Sequence, residues 1–375
     1  MNLGLSGRLT EASIASKLTP LALFTALALG LIALMVIPRE EEPQISVPMI
    51  DIHVQANGLK TDDAVELVTK PLEAIVKAIP GVEHVYSQTV DDHVTVTARF
   101  MVGTSADAAI LRVHERIRAN YDRIPAGIPE PLIVGRGIDD VAIFIVTLAP
   151  NAADADRWTA PALWRVADEL RSELAKTEDV GLSYIVGGAP EQIRIEPDPA
   201  KLSLYGVTLQ QLVAKVQGAN ASFEAGFVRE GGEMRAVVAG QTMQGIPDIG
   251  LLELTTRDGR QVYVKDVAAI TLAEAPVERR VWELTKGENG EWERAPAISI
   301  AFAKRAGANA VIVSERLHEA VSRLEGTLVP EGLAARITRN YGETANEKAN
   351  ELLFHLGLAT ISIVALIWFA IGWRE

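Results

Sequence analysis

Two long stretches without a single charge, one near each end, constrain this 375-residue chain more than any other feature. The first runs from Leu18 to Ile37, broken among lipophilic residues only by Thr19, Pro20, Thr25 and Gly30. Wound as a helix rising about 1.5 Å per residue, it reaches roughly 30 Å, one hydrocarbon core. The second runs from Leu352 to Trp373 and is less uniform, carrying His355, Thr360 and Ser362, while Trp368 and Trp373 suit a membrane interface. A signal peptide would have a shorter apolar region and a small-residue cleavage site, and Ile37-Pro38-Arg39-Glu40 offers none. Residues 18–37 and 352–373 are therefore expected to be transmembrane helices.

Charges beside the stretches set an orientation. Arg8 and Lys17 precede the first, Glu40, Glu41 and Glu42 follow it, and Arg374 lies just past the second. Basic residues favour the cytoplasmic side, so residues 1–17 are expected to be a cytoplasmic segment, with both ends inside and the middle exported. In an envelope with two membranes, residues 38–351 would occupy the periplasm. The absence of Cys excludes a disulfide framework, Cys-based zinc sites and thiol nucleophiles. With 49 acidic against 36 basic residues, the net charge of −13 argues against a general nucleic-acid binder.

The middle reads as a repeated α+β pattern. Met49 to Ala56 alternates Ile50, Ile52 and Val54 with Asp51, His53 and Gln55, a half-buried strand. Thr61 to Ile79 has helical spacing through Ala64, Val68, Leu72 and Ile75, with Pro71 expected to kink or divide it. Val82–Val90 and His93–Met101 form a hairpin across Asp91-Asp92. A helix follows through Ile110, Val113, Ile117, Tyr121 and Ile124, announced by capping-box spacing from Thr104 to Asp107. Strand, helix, strand, strand, helix is the order of a ferredoxin-like sandwich. A second copy starts with strand Asp140–Leu148, helix Trp158–Leu174 and strand Leu182–Val186, and resumes at Ala297–Ala303, helix Asn309–Leu324 and strand Ala334–Thr338. Between them, Ala189 to Ala275 is a small α+β insert. It carries a helix with a Thr208/Gln211 capping box, a Gly-rich polar loop over Asn220–Gly240, and short strands near Leu251–Thr255 and Gln261–Lys265.

These residues, in this order, resemble the permeases of the resistance-nodulation-division (RND) efflux superfamily. The likeness rests on the uncharged span, Pro38-Arg39-Glu40-Glu41-Glu42-Pro43-Gln44-Ile45 directly after it, Val68-Thr69-Lys70-Pro71-Leu72-Glu73, and Pro80-Gly81-Val82. It continues through Phe100–Ala108, Lys265-Asp266-Val267-Ala268, Gly307-Ala308-Asn309-Ala310 and Gly372-Trp373-Arg374-Glu375. The resemblance implies a homotrimeric, proton-driven antiporter of the inner membrane, embedded in lipid and working with a periplasmic adaptor and an outer-membrane channel. It also implies two ferredoxin-like βαββαβ porter subdomains, residues 38–137 and 138–188 plus 276–341, the second interrupted by a docking subdomain, residues 189–275. Within the insert, the loop Glu224, Ala225, Gly226, Phe227, Val228, Arg229 and Glu230 would be an arm reaching the neighbouring protomer. Cargo would be small amphipathic or hydrophobic compounds, with Ile143, Ile145, Tyr184, Val186, Phe302, Lys304 and Tyr341 as candidate lining.

Family members are much longer, and their intramembrane carboxylates lie on later spans; only His355 is ionisable within either stretch here. Proton coupling needs a titratable group facing a bundle interior, so this chain is expected to be the N-terminal portion of a permease, incomplete without its later spans. His355, in the first turn of its stretch, reads as an interfacial side chain rather than a proton relay. His53, His84 and His93 are weighed as a metal set and set aside for lack of supporting carboxylates; neither metal nor cofactor is expected. Gly135-Arg136-Gly137 followed by Asp140 is an incomplete phosphate-loop string, read as a turn. No nucleophile, base and orienting group converge, so enzyme function is not expected. A two-span periplasmic binding or sensor module is the alternative.

Overall fold

The computed structural model describes residues 16, 18–37, 39–40, 47–231, 233–257, 259–276, 279–286 and 290–371. The flanking residues Arg8, Lys17, Glu41, Glu42, Trp373 and Arg374, and the Pro38 and Pro43–Ile45 parts of the link, lie outside them.

After helix α1 (Leu18–Val36), strand β1 (Met49–Gln55) opens a four-stranded antiparallel sheet with β2 (Val82–Val90), β3 (His93–Phe100) and β4 (Leu132–Arg136), in the order β2-β3-β1-β4. Because Ile50, Ile52 and Val54 pair with Ala98, Val96 and Val94, the two alternating patterns share one apolar face. Against that face pack Val68, Leu72 and Val76 of α2 (Thr61–Ala64, continued by Val65–Thr69 and Lys70–Lys77) and Val113 and Ile117 of α3 (Ala106–Arg118). Each such side chain removed from water stabilises the sandwich by about 1.5–3 kcal/mol.

Pro71 does not divide α2. The preceding turn, Val65–Thr69, widens to a π-turn, which accommodates the missing N–H of the proline while the helix runs on. The capping box expected at Thr104 does not form: its hydroxyl donates to the Met101 carbonyl (2.8 Å), and α3 starts at Ala106 and ends at Arg118, so Tyr121 and Ile124 lie beyond it. The short strand β4, absent from the sequence pattern, contains Gly135. A Cβ there would stand 2.7 Å from Ile110 Cδ1, so the glycine serves close packing of α3 on the sheet.

The second sheet is built from β5 (Ala142–Pro150), β6 (Val180–Val186), β13 (Val281–Lys286), β14 (Trp292–Lys304) and β15 (Leu333–Asn340). β5 lies between β14 and β15, while β6 and β13 occupy successive stretches of the opposite edge of β14. One face buries Phe144, Val146, Leu148, Ile298 and Ile300 beneath Leu163, Leu170 and Leu174 of α4 (Ala160–Leu174) and Val313 and Leu317 of α9 (Ala310–Leu324). In both sheets the strand order is that of a ferredoxin-like sandwich.

Between β6 and β13 comes the insert: β7 (Glu191–Pro197), α5 (Pro199–Tyr205), α6 (Leu209–Ala219), β8 (Ala221–Glu230), β9 (Glu233–Gln241), α7 (Ile246–Gly250), β10 (Glu253–Arg257), β11 (Arg260–Tyr263), α8 (Val264–Val267) and β12 (Ala268–Glu274). β7 and β12 pair along their whole lengths and close it at its base. The Thr208/Gln211 box is present with both bonds, 3.2 and 2.9 Å. The expected loop over Asn220–Gly240 is instead the hairpin β8–β9, and Lys265 sits in the turn α8 rather than a strand.

β15 passes directly into α10 (Tyr341–Ile371), whose start is capped by the Asn340 side chain accepting from Glu343 N (3.2 Å). Among the described residues, one helix, Tyr341–Ala370, is long and apolar enough to cross a membrane, and α1 supplies a shorter apolar stretch, Leu18–Leu34.

Candidate functional site

Alternation along the second sheet leaves a face that no helix covers. Ala301 pairs with Ile145 on one side and Tyr184 on the other, and Ser299 pairs with Thr147 and Val186. Strand side chains alternate between faces, so Ile145, Tyr184 and Val186 share the open face with these residues. Ile145 and Val186 are half-buried and Tyr184 is 38% exposed. Thr147 ties the centre together, its hydroxyl within 2.9 Å of Ser299 Oγ and 3.0 Å of Thr338 Oγ1. Arg336 of β15 reaches Glu283 of β13 (2.9 Å), across the intervening β5 and β14, and fences one end. Arg336 and Arg339 stand opposite Thr147 and Ile145, so the face combines aliphatic groups, hydroxyls and a phenol with two guanidinium groups and can hold an amphipathic molecule by contact area and a few directional bonds.

The other expected lining residues are placed elsewhere. Phe302 is fully buried beneath the helices, and Ile143 belongs to the same core cluster. Tyr341 opens α10, half-buried, with the Arg339 guanidinium over its ring at 4.2 Å.

Lys304 ends β14 and is only 7% exposed. Its ammonium is 3.0 Å from Glu40 Oε1 and 3.4 Å from Asp139 Oδ1. A buried ammonium is tolerated when carboxylates compensate it. One of the two belongs to the short link after α1. The adjacent Arg39 donates to Asn346 Oδ1 (2.6 Å) and Asn350 Oδ1 (3.1 Å) on α10. Two consecutive residues thus fasten the end of α1 to the second sheet and to the other apolar helix. Asp139, Asn346 and Asn350 escape a sequence reading, although the Arg39-Glu40 charge pair straight after an uncharged span and the i, i+4 asparagines before the next are signals that could have raised them.

On the insert, Ala225, Phe227, Val228 and Arg229 are exposed on β8, with Gly226 half-buried at a bulge. Arg229 pairs with Met234 and Phe227 with Ala236, so Phe227, Arg229 and the exposed Met234 share one face of the hairpin. The side chains of Glu224 and Glu230 lie outside the described residues.

Of the three histidines, His53 and His93 stack (centroids 5.8 Å apart) and flank Thr95 Oγ1 at 3.1 and 3.2 Å. His84 is apart, beside Tyr86 and Glu83. No group of three His, Asp or Glu among the described residues could hold a metal ion. His355 lies one turn from Glu351 (4.0 Å) on α10. Gly135 and Arg136 belong to β4, and Gly137 N donates to Asp140 Oδ2 (2.8 Å) in a 3₁₀ turn, so the glycine string forms no phosphate loop.

A duplicated sandwich carried on a bilayer-length helix and tied to a second apolar helix defines a membrane-anchored α+β protein. This chain belongs to the AcrB/AcrD/AcrF family, whose profile matches residues 11–372, and is thereby part of an RND permease. It is similar to Protein HelA of Legionella pneumophila, 25% identical over 346 residues, 92% of this chain and 32% of that protein. It is also similar to the cation efflux system protein CzcA of an Alcaligenes species and to the cobalt-zinc-cadmium resistance protein CzcA of Cupriavidus metallidurans. Each is 25% identical over 317 residues, 84% of this chain and 29% of the relative. The chain spans about a third of the length of these relatives.

Proposed function

We propose that this chain is the N-terminal part of a proton-driven RND efflux permease that exports small amphipathic or hydrophobic compounds from the inner membrane and periplasm. In this reading residues 18–37 and 352–373 both cross the bilayer, and the two sandwiches, residues 38–137 and 138–188 plus 276–341, are porter subdomains. Residues 189–275 dock, the β8–β9 hairpin reaches a neighbouring copy in a trimer, and the assembly engages an adaptor and an outer-membrane channel. Energy comes from protons moving through later spans, because binding alone cannot drive cargo uphill. The observation that carries the reading is the family match across residues 11–372. The open face around Ile145, Tyr184 and Val186, edged by Arg336 and Arg339, supports an amphipathic cargo.

The names of two relatives favour a second reading, in which the cargo is a divalent cation. Glu283, the carboxylate at the edge of the face, is held by Arg336, and the hydroxyls, aliphatic groups, phenol and guanidinium groups beside it are poor ligands for such ions, which favours the organic cargo. Cells producing the complete protein should lose export of a lipophilic dye, about tenfold, on Tyr184→Ala with Ile145→Ala, and keep wild-type sensitivity to zinc and cobalt. Intact dye export, or a changed metal tolerance in that variant, would overturn the assignment.

A further inference from the structure

On the helix-covered side of the second sheet, a pocket of about 250 Å³ lies between the start of α4 and the outer strand β13. Leu163 of α4 and Ile298 of β14, both buried, line its interior, Ala160 and Pro296 add further apolar walls, and the exposed Trp282 stands at its mouth. Gly188, at φ 73, contributes bare backbone, since a Cβ there would stand 2.4 Å from Ile298 Cδ1. Ile298 belongs to the core beneath the helices, whereas Ile145, Tyr184 and Val186 lie on the opposite face, so the sheet itself separates this pocket from the candidate cargo face.

The chemistry of the pocket is two-sided. Its walls are apolar, and the one charged residue among its lining is Arg280. Neither Arg280 nor Arg294, whose guanidinium lies 4.0 Å from the centroid of the Trp282 ring, has a carboxylate partner among the described residues. In a chain of net charge −13, two guanidinium groups left without carboxylates beside one apolar recess make a locally positive rim. A hydrocarbon would use the walls and leave the guanidinium unused, and an inorganic anion would do the reverse. A molecule with an apolar body and a carboxylate uses both, because the planar guanidinium fork matches a carboxylate in geometry as well as charge. The volume sets the size of that body: sites for drug-sized ligands run from about 300 to 1,000 Å³, so this one suits a single ring on a short chain.

We infer that this pocket binds a small amphipathic organic acid, its ring packed against Leu163, Ile298 and Trp282 and its carboxylate accepting from the Arg280 guanidinium. Binding here is an equilibrium property of the second sandwich and does not depend on whether the complete protein exports anything.

The test is a saturation-transfer NMR titration of the full chain in detergent micelles with 4-phenylbutyrate, with the signal from empty micelles subtracted. Saturable binding is expected, weakened about threefold by Arg280→Gln, the size of effect that an exposed charge pair gives. The neutral analogue 4-phenylbutyramide should bind more weakly than the acid and be indifferent to Arg280→Gln. Ala160→Leu, which fills the pocket, should abolish binding of both while leaving the unfolding temperature within a few degrees of wild type. Arg123→Gln, which removes an exposed guanidinium from the first sandwich, should change nothing. No saturable binding, which would mean that protein fills the pocket, equal affinity for the acid in the Arg280 variant, or equal weakening in the Arg123 variant would each overturn the proposal. So would loss of binding on Tyr184→Ala, which would place the acid on the open face.

Discussion

At the turn between β2 and β3, Asp91 accepts from Lys60 Nζ (2.8 Å), Thr61 N (2.9 Å) and Thr61 Oγ1 (2.8 Å). It thereby caps α2 from a distant point in the sequence, since Lys60 supplies no side-chain cap of its own. The Lys60 ammonium, followed by the Thr61 donors, holds the Asp91 carboxyl well below its ordinary range, at about 2. A depressed carboxylate stabilises the fold above its unfolded value, near 3.8, and that contribution disappears as pH falls through about 2. Asp91→Asn should therefore lower the thermal midpoint at pH 7, with the gap from wild type closing between about pH 4 and pH 2 in a series of melting curves. A constant gap across that range would show that the charge contributes nothing. The neighbouring Asp92, at φ 65, takes the left-handed conformation the two-residue turn demands and accepts from Gly58 N.

Elements were legible in the sequence where their signals are local. The Thr208/Gln211 box forms because donor and acceptor are three residues apart and meet in one turn. Both strands of the first hairpin were readable because every second residue is apolar over most of β3. β4 was not, being five residues long with a glycine in it, and neither was β13, where Trp282 and Leu284 face outward while Glu283 is turned inward to Arg336. Membership of the open face was out of reach for a different reason. Which of Ile145, Tyr184, Val186 and Phe302 share a side depends on pairing between strands over a hundred residues apart, with a bulge at Phe302/Ala303. The crossing of α9 and α10 offers a test at this scale. Gly342→Ala, which would put a Cβ 2.5 Å from Ser314 Cβ, should cost about 1–3 kcal/mol by overpacking, and Ser314→Gly in the same chain should recover most of it in thermal unfolding. An unchanged midpoint in the single variant would mean that the helices separate freely there.

Across the whole molecule, the apolar helices and the second sandwich converge on Arg39, Glu40 and Lys304. Neutralising both partners with Glu40→Gln and Asp139→Asn leaves the Lys304 ammonium buried without a counter-charge, at a cost of about 2 kcal/mol. Adding Lys304→Met should return most of that stability, because an apolar side chain of similar volume needs no partner. Denaturant titration of the three chains in micelles checks the order; a double variant as stable as wild type would show that the ammonium is solvated. A last consequence follows from the join at Asn340 and Tyr341, where strand gives way to helix with no intervening residue. A rod of 31 residues, about 46 Å at 1.5 Å per residue, welded to the sheet at one end behaves as a lever. Tipping it by roughly 10° would sweep its far tip by about 8 Å on that length, and with no slack at the fulcrum the edge strand must turn with it.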